Sequence, residues 1–177
     1  MLAKKPSVVA FMCLLCMIPM AISSLAAEPN VSFLDNGVIR LGVNLNAGGA
    51  ITYLSKSGDK NNLVNNWDWG RQIQMSHYSG PVPYTVPGKE PFPAWRELGW
   101  NPVQAGDHFR NPSKVIAHKN DGKSIYIKSI PMQYALDNVP AECTFECWIS
   151  LKGNSAEVRS QMVVNRPDKT QYPARCQ

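Results

Sequence analysis

Apolar residues recur at every second position and are punctuated by Asn-Gly and Asp-Gly pairs, and this pattern constrains the chain more than any other feature. Val31 to Leu34 and Val38 to Leu45 flank Asp35-Asn36-Gly37, so the segment reads as two strands joined by a tight hairpin turn. Ile39, Leu41, Val43 and Leu45 then face one way and Val38, Arg40 and Asn44 the other. Ala47-Gly48-Gly49 breaks the run, Ala50 to Leu54 resumes it, and Lys56-Ser57-Gly58-Asp59-Lys60 turns it again. The grammar returns as Lys114 to His118, a turn at Asn120-Asp121-Gly122 and Ser124 to Ile130. A last pair, Glu142 to Leu151 and Ala156 to Val164, is joined at Lys152-Gly153-Asn154-Ser155. In its first strand Cys143, Phe145, Cys147 and Ile149 form the apolar face, opposite Thr144, Glu146, Trp148 and Ser150. No window carries the three-and-four spacing of an amphipathic helix, so the pattern predicts an all-β antiparallel sandwich.

The first residues follow other rules. Lys4 and Lys5 precede an apolar run from Val8 to Ile22, and small residues end at Ala26-Ala27, which predicts a signal peptide over 1–26 and a single β-sandwich domain over 27–177. The mature chain is then expected outside the cell or in a periplasm, with no membrane contact after cleavage. Losing Lys4 and Lys5 lowers the formal charge from +5 to +3, and no Lys/Arg cluster exceeds a dipeptide, which excludes a nucleic-acid footprint. Cys143, Cys147 and Cys176 remain, an odd number; a bridge from Cys176 to one of the others and a set of plain buried thiols both stay open. No CxxC occurs and the three histidines are scattered, so neither a metal nor another cofactor is expected.

Residues 67–109 break the strand rhythm. They hold Trp67, Trp69, Tyr78, Tyr84, Phe92, Trp95, Trp100 and Phe109, and prolines at 81, 83, 87, 91, 93 and 102. A long segment rich in proline and aromatics predicts an ordered functional loop. Pyranose rings lay apolar C–H faces on aromatic rings while their hydroxyls pair with polar side chains, and this segment supplies both. Trp67, Asp68, Trp69, Arg71, Gln74, Tyr78, Trp95 and Trp100 are therefore the candidate ligand-binding residues. If 71–78 is extended, Arg71, Ile73, Met75 and His77 share one face and Gln72, Gln74, Ser76 and Tyr78 the other. The alternative, tryptophans in the core and polar residues along a solvated edge, stays open. For proton transfer the candidates are His77, His108 and Asp107, the last two paired by adjacency alone. Glu142 and Glu146 read as part of a solvated sheet face, and His118 as a surface residue.

Asn36-Gly37-Val38-Ile39-Arg40-Leu41-Gly42-Val43 followed by Gly48-Gly49-Ala50-Ile51-Thr52-Tyr53-Leu54 resembles the opening of galactose-mutarotase-like β-supersandwich domains. Asp68-Trp69-Gly70-Arg71-Gln72-Ile73-Gln74 and the pair from Phe145 to Val164 look similar to secreted, largely uncharacterised proteins of that kind. The resemblance implies a role on sugars, in an enzyme or in an accessory module. The segment that carries an epimerase's histidine has no counterpart here, so no catalytic residue is implied. Such domains are longer than this chain, which is expected to be an incomplete supersandwich. The combined expectation is a secreted carbohydrate-active protein that binds or processes an oligo- or polysaccharide; the alternative is a non-catalytic glycan-binding or cell-surface interaction module.

Overall fold

The Asn-Gly turn folds as its chemistry demands. In the computed structural model, which describes residues 30–173, β1 (Val31–Asp35) and β2 (Ile39–Asn44) pair antiparallel around it. Gly37 takes φ 80°, a left-handed conformation that glycine adopts without penalty. The Asp35 carboxylate accepts the Gly37 N–H at 2.9 Å, and Asn36 Oδ1 accepts the N–H groups of Val38 and Ile39. β3 (Ala50–Lys56) completes a three-stranded sheet, with a register shift between Gly42 and Val43. The predicted signal peptide and Cys176 lie outside the described residues.

After 3-10 helix Pro93–Leu98 and the two-residue β4 (Pro102–Val103), β5 (Lys114–Asn120) and β6 (Ser124–Ile130) form the second hairpin. β7 (Met132–Gln133) pairs with β4, and β8 (Cys143–Lys152) with β9 (Ser155–Val164). The large sheet runs β5-β6-β8-β9. All named pairings are antiparallel, so the described chain is all-β and sandwich-like.

The two larger sheets bury their apolar faces against each other. Leu34, Leu41, Val43 and Ile51 from the first meet Ile125, Ile127, Cys147 and Ile149 from the second. Each is at most 5% exposed, and each burial of this size stabilises the fold by about 1.5–3 kcal/mol for a full aliphatic side chain. Polar contacts close one side of the sandwich. His118 Nε2 meets Ser32 Oγ at 3.0 Å, and the Asn120 amide donates to Ser32 Oγ and to the Phe33 carbonyl. His118 is exposed, as its strand position predicts.

A second cluster roots the aromatic segment. Tyr84 and Trp100 pack on Leu136, Ala141, Cys143 and Phe145, and Met75 borders both clusters. Here one expectation is corrected. Glu142 sits just before β8 and turns away from the solvated face. Its carboxylate accepts the Tyr84 hydroxyl at 2.8 Å and the Trp100 indole N–H at 2.9 Å. Glu146 does lie on the outer face, accepting from Tyr126 at 2.6 Å and pairing with Lys128 at 3.0 Å. Cys143 and Cys147 are both free and buried.

Candidate functional site

Residues 68–72 turn, and residues 73–79 are held by isolated bridges without forming a ladder. Single bridges tie Ile73 to Ile51, Ser76 to Val103 and Ser79 to Trp100. That suffices to impose period two. Gln72, Gln74, Ser76 and Tyr78 line a cleft of about 420 Å³, while Met75 packs into the core and His77 meets the Trp100 ring edge at 5.9 Å. Asp68, Gly70 and Arg71 close one end of the cleft. Trp95 and Leu98 of the 3-10 helix also line the cleft, with Asn101, Val103 and Tyr134. Pro93 opens that helix and Gly99, at φ 69°, ends it.

A second hollow of about 240 Å³ shares Asp68, Trp95 and Tyr134 with the cleft and adds Trp67, Trp69 and Arg110. Trp67 is 78% exposed, its backbone fixed by an Asn65 side chain at its N–H and by Arg110 at its carbonyl. Trp69 is half-buried against Ala47, Ala50 and Ala105, and Gly106 passes so close that a Cβ there would lie 1.9 Å from its ring. Trp95 packs on Tyr134 at 5.7 Å between centroids and donates its indole N–H to His108 Nδ1 at 3.1 Å. The ring between the two hollows is thereby fixed in orientation.

Charge in the cleft is paired. Arg71 Nε lies 2.9 Å from Asp68 Oδ2. Burial pushes the Asp68 carboxyl up, but the Arg71 and Gly70 hydrogen bonds and the charges of Arg71 and Arg110 outweigh it and hold the group below the ordinary carboxylate value. Burial, then the negative charge of Asp68, raises the Tyr134 phenol. Tyr134 is therefore a neutral hydroxyl at physiological pH. Gln74 spans the wall, donating to the Trp69 carbonyl and accepting the Ala105 N–H. Two wall oxygens, Gln72 Oε1 and Asn101 Oδ1, are buried without a protein donor.

Of the eight residues singled out for ligand binding, five line the cleft: Asp68, Arg71, Gln74, Tyr78 and Trp95. Trp67 and Trp69 line the adjoining hollow. Trp100 lines neither hollow and is 1% exposed, so no ligand ring can stack on it. Of the three candidates for proton transfer, Asp107 and His108 both line the second hollow but bond to other residues, and His77 lines neither hollow. The buried Asp107 carboxylate is taken by Asn111 N–H, the Asn111 amide and Asn138 N–H, so it braces a loop. His108 turns instead to Trp95. His77 stands against Trp100, and burial pulls its ring below the ordinary histidine value, toward the neutral form. No sequence signal points to Tyr134 or Asn101, because two-residue strands bring them in: Pro102 pairs with Gln133, and Tyr134 N–H donates to the Asn101 carbonyl. No strand periodicity is visible in two residues.

No group of three or more His, Cys, Asp or Glu that could hold a metal occurs among the described residues. Among them, too, no helix is long and apolar enough to cross a membrane. Fold and site define an all-β sandwich-like protein with a cleft lined by aromatic and polar side chains. Scans against family models, curated proteins and solved structures find no match to the chain.

Proposed function

We propose that this is a secreted carbohydrate-binding protein whose cleft takes a sugar ring of an oligo- or polysaccharide. The observation that carries the reading is that Tyr78, Trp95 and Tyr134 line one cleft together with Asp68, Arg71 and Gln72. An aromatic wall accepts the C–H face of a pyranose, and the charged and amide groups meet its hydroxyls. The exposed Trp67 offers a stacking face for a neighbouring sugar in the adjoining hollow. The leader pattern supports export, and the likeness of the opening hairpins to mutarotase-like domains supports the ligand class.

The reading is of binding rather than turnover. The specific observation in its favour is that the Asp107 carboxylate is taken by Asn111 and Asn138 and His108 Nδ1 by the Trp95 indole N–H, so the adjacent acid–base candidates bond to other residues and not to each other. Retention on a panel of immobilised glycans, with calorimetry on those retained, tests both halves. Binding should fall in a Trp95→Ala variant of unchanged melting point. Failure to bind any glycan would reject the reading, and release or epimerisation of a sugar would reject its restriction to binding.

A further inference from the structure

Three of the four outer strands of the two larger sheets are covered. β5 and β1 cover each other through the His118 and Asn120 hydrogen bonds to Ser32 and Phe33. β3 is followed by the Ile51–Ile73 bridge and by Asn62, which donates to the Thr52 carbonyl. β9 differs. It is ten residues long, every residue but Met162 is exposed, and among the described residues no strand or bridge lies beyond it. Long unprotected edges are templates for strand pairing.

The edge carries its own register information. Ile149 lies opposite Val158, which puts Val158 on the core-facing side of the sheet. There it lines an open hollow of about 130 Å³ with Ile51, Ile73 and Ile149, and Val158 and Ile73 remain 47% and 51% exposed. Lys152 and Ser155 close a two-residue turn, so alternate residues from Ser155 bond inward. The backbone N–H and C=O groups of Ala156, Val158 and Ser160 therefore point outward. The charged side chains of β9 are Glu157 and Arg159, on either side of Val158 and on the opposite face of the sheet.

We infer that β9 pairs antiparallel with β9 of a second copy of this chain, about a two-fold axis between the two Val158 residues. This register brings outward backbone groups together from both copies and sets Glu157 opposite Arg159 twice. Shifting the axis to residue 157 or 159 would set Glu157 or Arg159 against itself, a like-charge pair directly opposed. The two Val158 side chains then cover each other at the mouth of the hollow. Such an isologous contact closes as a dimer and does not propagate. The inference does not rest on the glycan cleft, which lies on other residues.

The test is sedimentation velocity on the purified chain over a range of concentrations, with melting curves to confirm folding. The wild type should be a dimer. Arg159→Glu and Glu157→Arg should each raise the dissociation constant about tenfold or more, since each turns two attractions into two repulsions. Mixing these two single variants should restore a heterodimer, because every cross-strand pair becomes opposite in sign again; this needs no doubly altered chain. A wild type that stays monomeric at millimolar concentration overturns the inference. So do a dimer indifferent to both reversals and a mixture that fails to associate. Arg159 also stacks over Trp148 at 4.9 Å, so an Arg159→Ala melt separates loss of that contact from loss of the dimer.

Discussion

Replacing Glu142 tests how the aromatic segment is held to the sheet. Its carboxylate takes the Trp100 indole N–H and the Tyr84 hydroxyl at once, and those rings are 1% and 9% exposed. Alanine at 142 leaves the indole N–H buried without an acceptor, which costs about 1–3 kcal/mol, and losing the tyrosine bond adds about 0.5–1.5 kcal/mol. A loss of about 2–4 kcal/mol corresponds to a melting point lower by about 5–15 °C for a domain of this size. Glutamine keeps an oxygen for Trp100 and turns its amide toward the tyrosine oxygen, so Glu142→Gln should lose well under half as much. The pH dependence has a definite sign. Burial pushes the Glu142 carboxyl up, but the Trp100 and Tyr84 hydrogen bonds and the Arg166 charge outweigh it and hold the folded value below the ordinary one. Its stabilising contribution is complete above the ordinary carboxylate value of about 4.3 and disappears as pH falls through the lower folded value. The gap between wild type and Glu142→Gln should therefore narrow in acid. Melts followed by near-ultraviolet circular dichroism read both effects. An unchanged melting point for Glu142→Ala, or equal losses for alanine and glutamine, would refute the reasoning.

Trp100→Ala should cost about 3–5 kcal/mol of stability, whereas Trp95→Ala and Trp67→Ala should keep the fold and weaken glycan retention by about 1–3 kcal/mol. Equal unfolding of all three variants would remove the stacking platform. Gly106→Ala places a Cβ 1.9 Å from the Trp69 ring and 2.4 Å from the Asn111 carbonyl, so it should destabilise by about 1–3 kcal/mol and alter the tryptophan fluorescence; an unperturbed spectrum and melt would contradict that packing. Burial pushes the Cys143 thiol up to about 12 and the Cys147 thiol up to about 11, so neither should be alkylated by iodoacetamide at neutral pH until the chain unfolds. Peptide mapping that finds either residue modified in the native protein would count against their burial.

Local chemistry made most of the sheet structure legible. Asn36-Gly37, Asp121-Gly122 and Gly153-Asn154 each turn the chain within a few residues, and Asp121 accepts the N–H groups of Lys123 and Ser124 as such turns require. The flanking period-two runs match β1, β2, β3, β5, β6, β8 and β9 to within two residues at each end. The same periodicity put Gln72, Gln74, Ser76 and Tyr78 on one face, and all four line the cleft; Arg71, expected on the opposite face, lines it too because the chain turns there. What these signals share is range: turn conformation and side-chain alternation depend on near neighbours in the chain. Burial does not. Trp67 and Trp100 stand in one aromatic segment, yet one is 78% exposed and the other 1%, because Glu142 lies 42 residues beyond Trp100 and holds its indole N–H. Asp107 and His108 are adjacent, and only the packed loop, with Asn111 and Asn138 on one residue and Trp95 on the other, gives their side chains separate partners. Tyr134 reaches the cleft through β4 and β7, whose two residues each carry no period at all. The sequence by itself thus determined strands, turns and which faces could be apolar. Only the tertiary structure decided which aromatic rings are core and which line the cleft, because that depends on contacts between residues far apart in the chain.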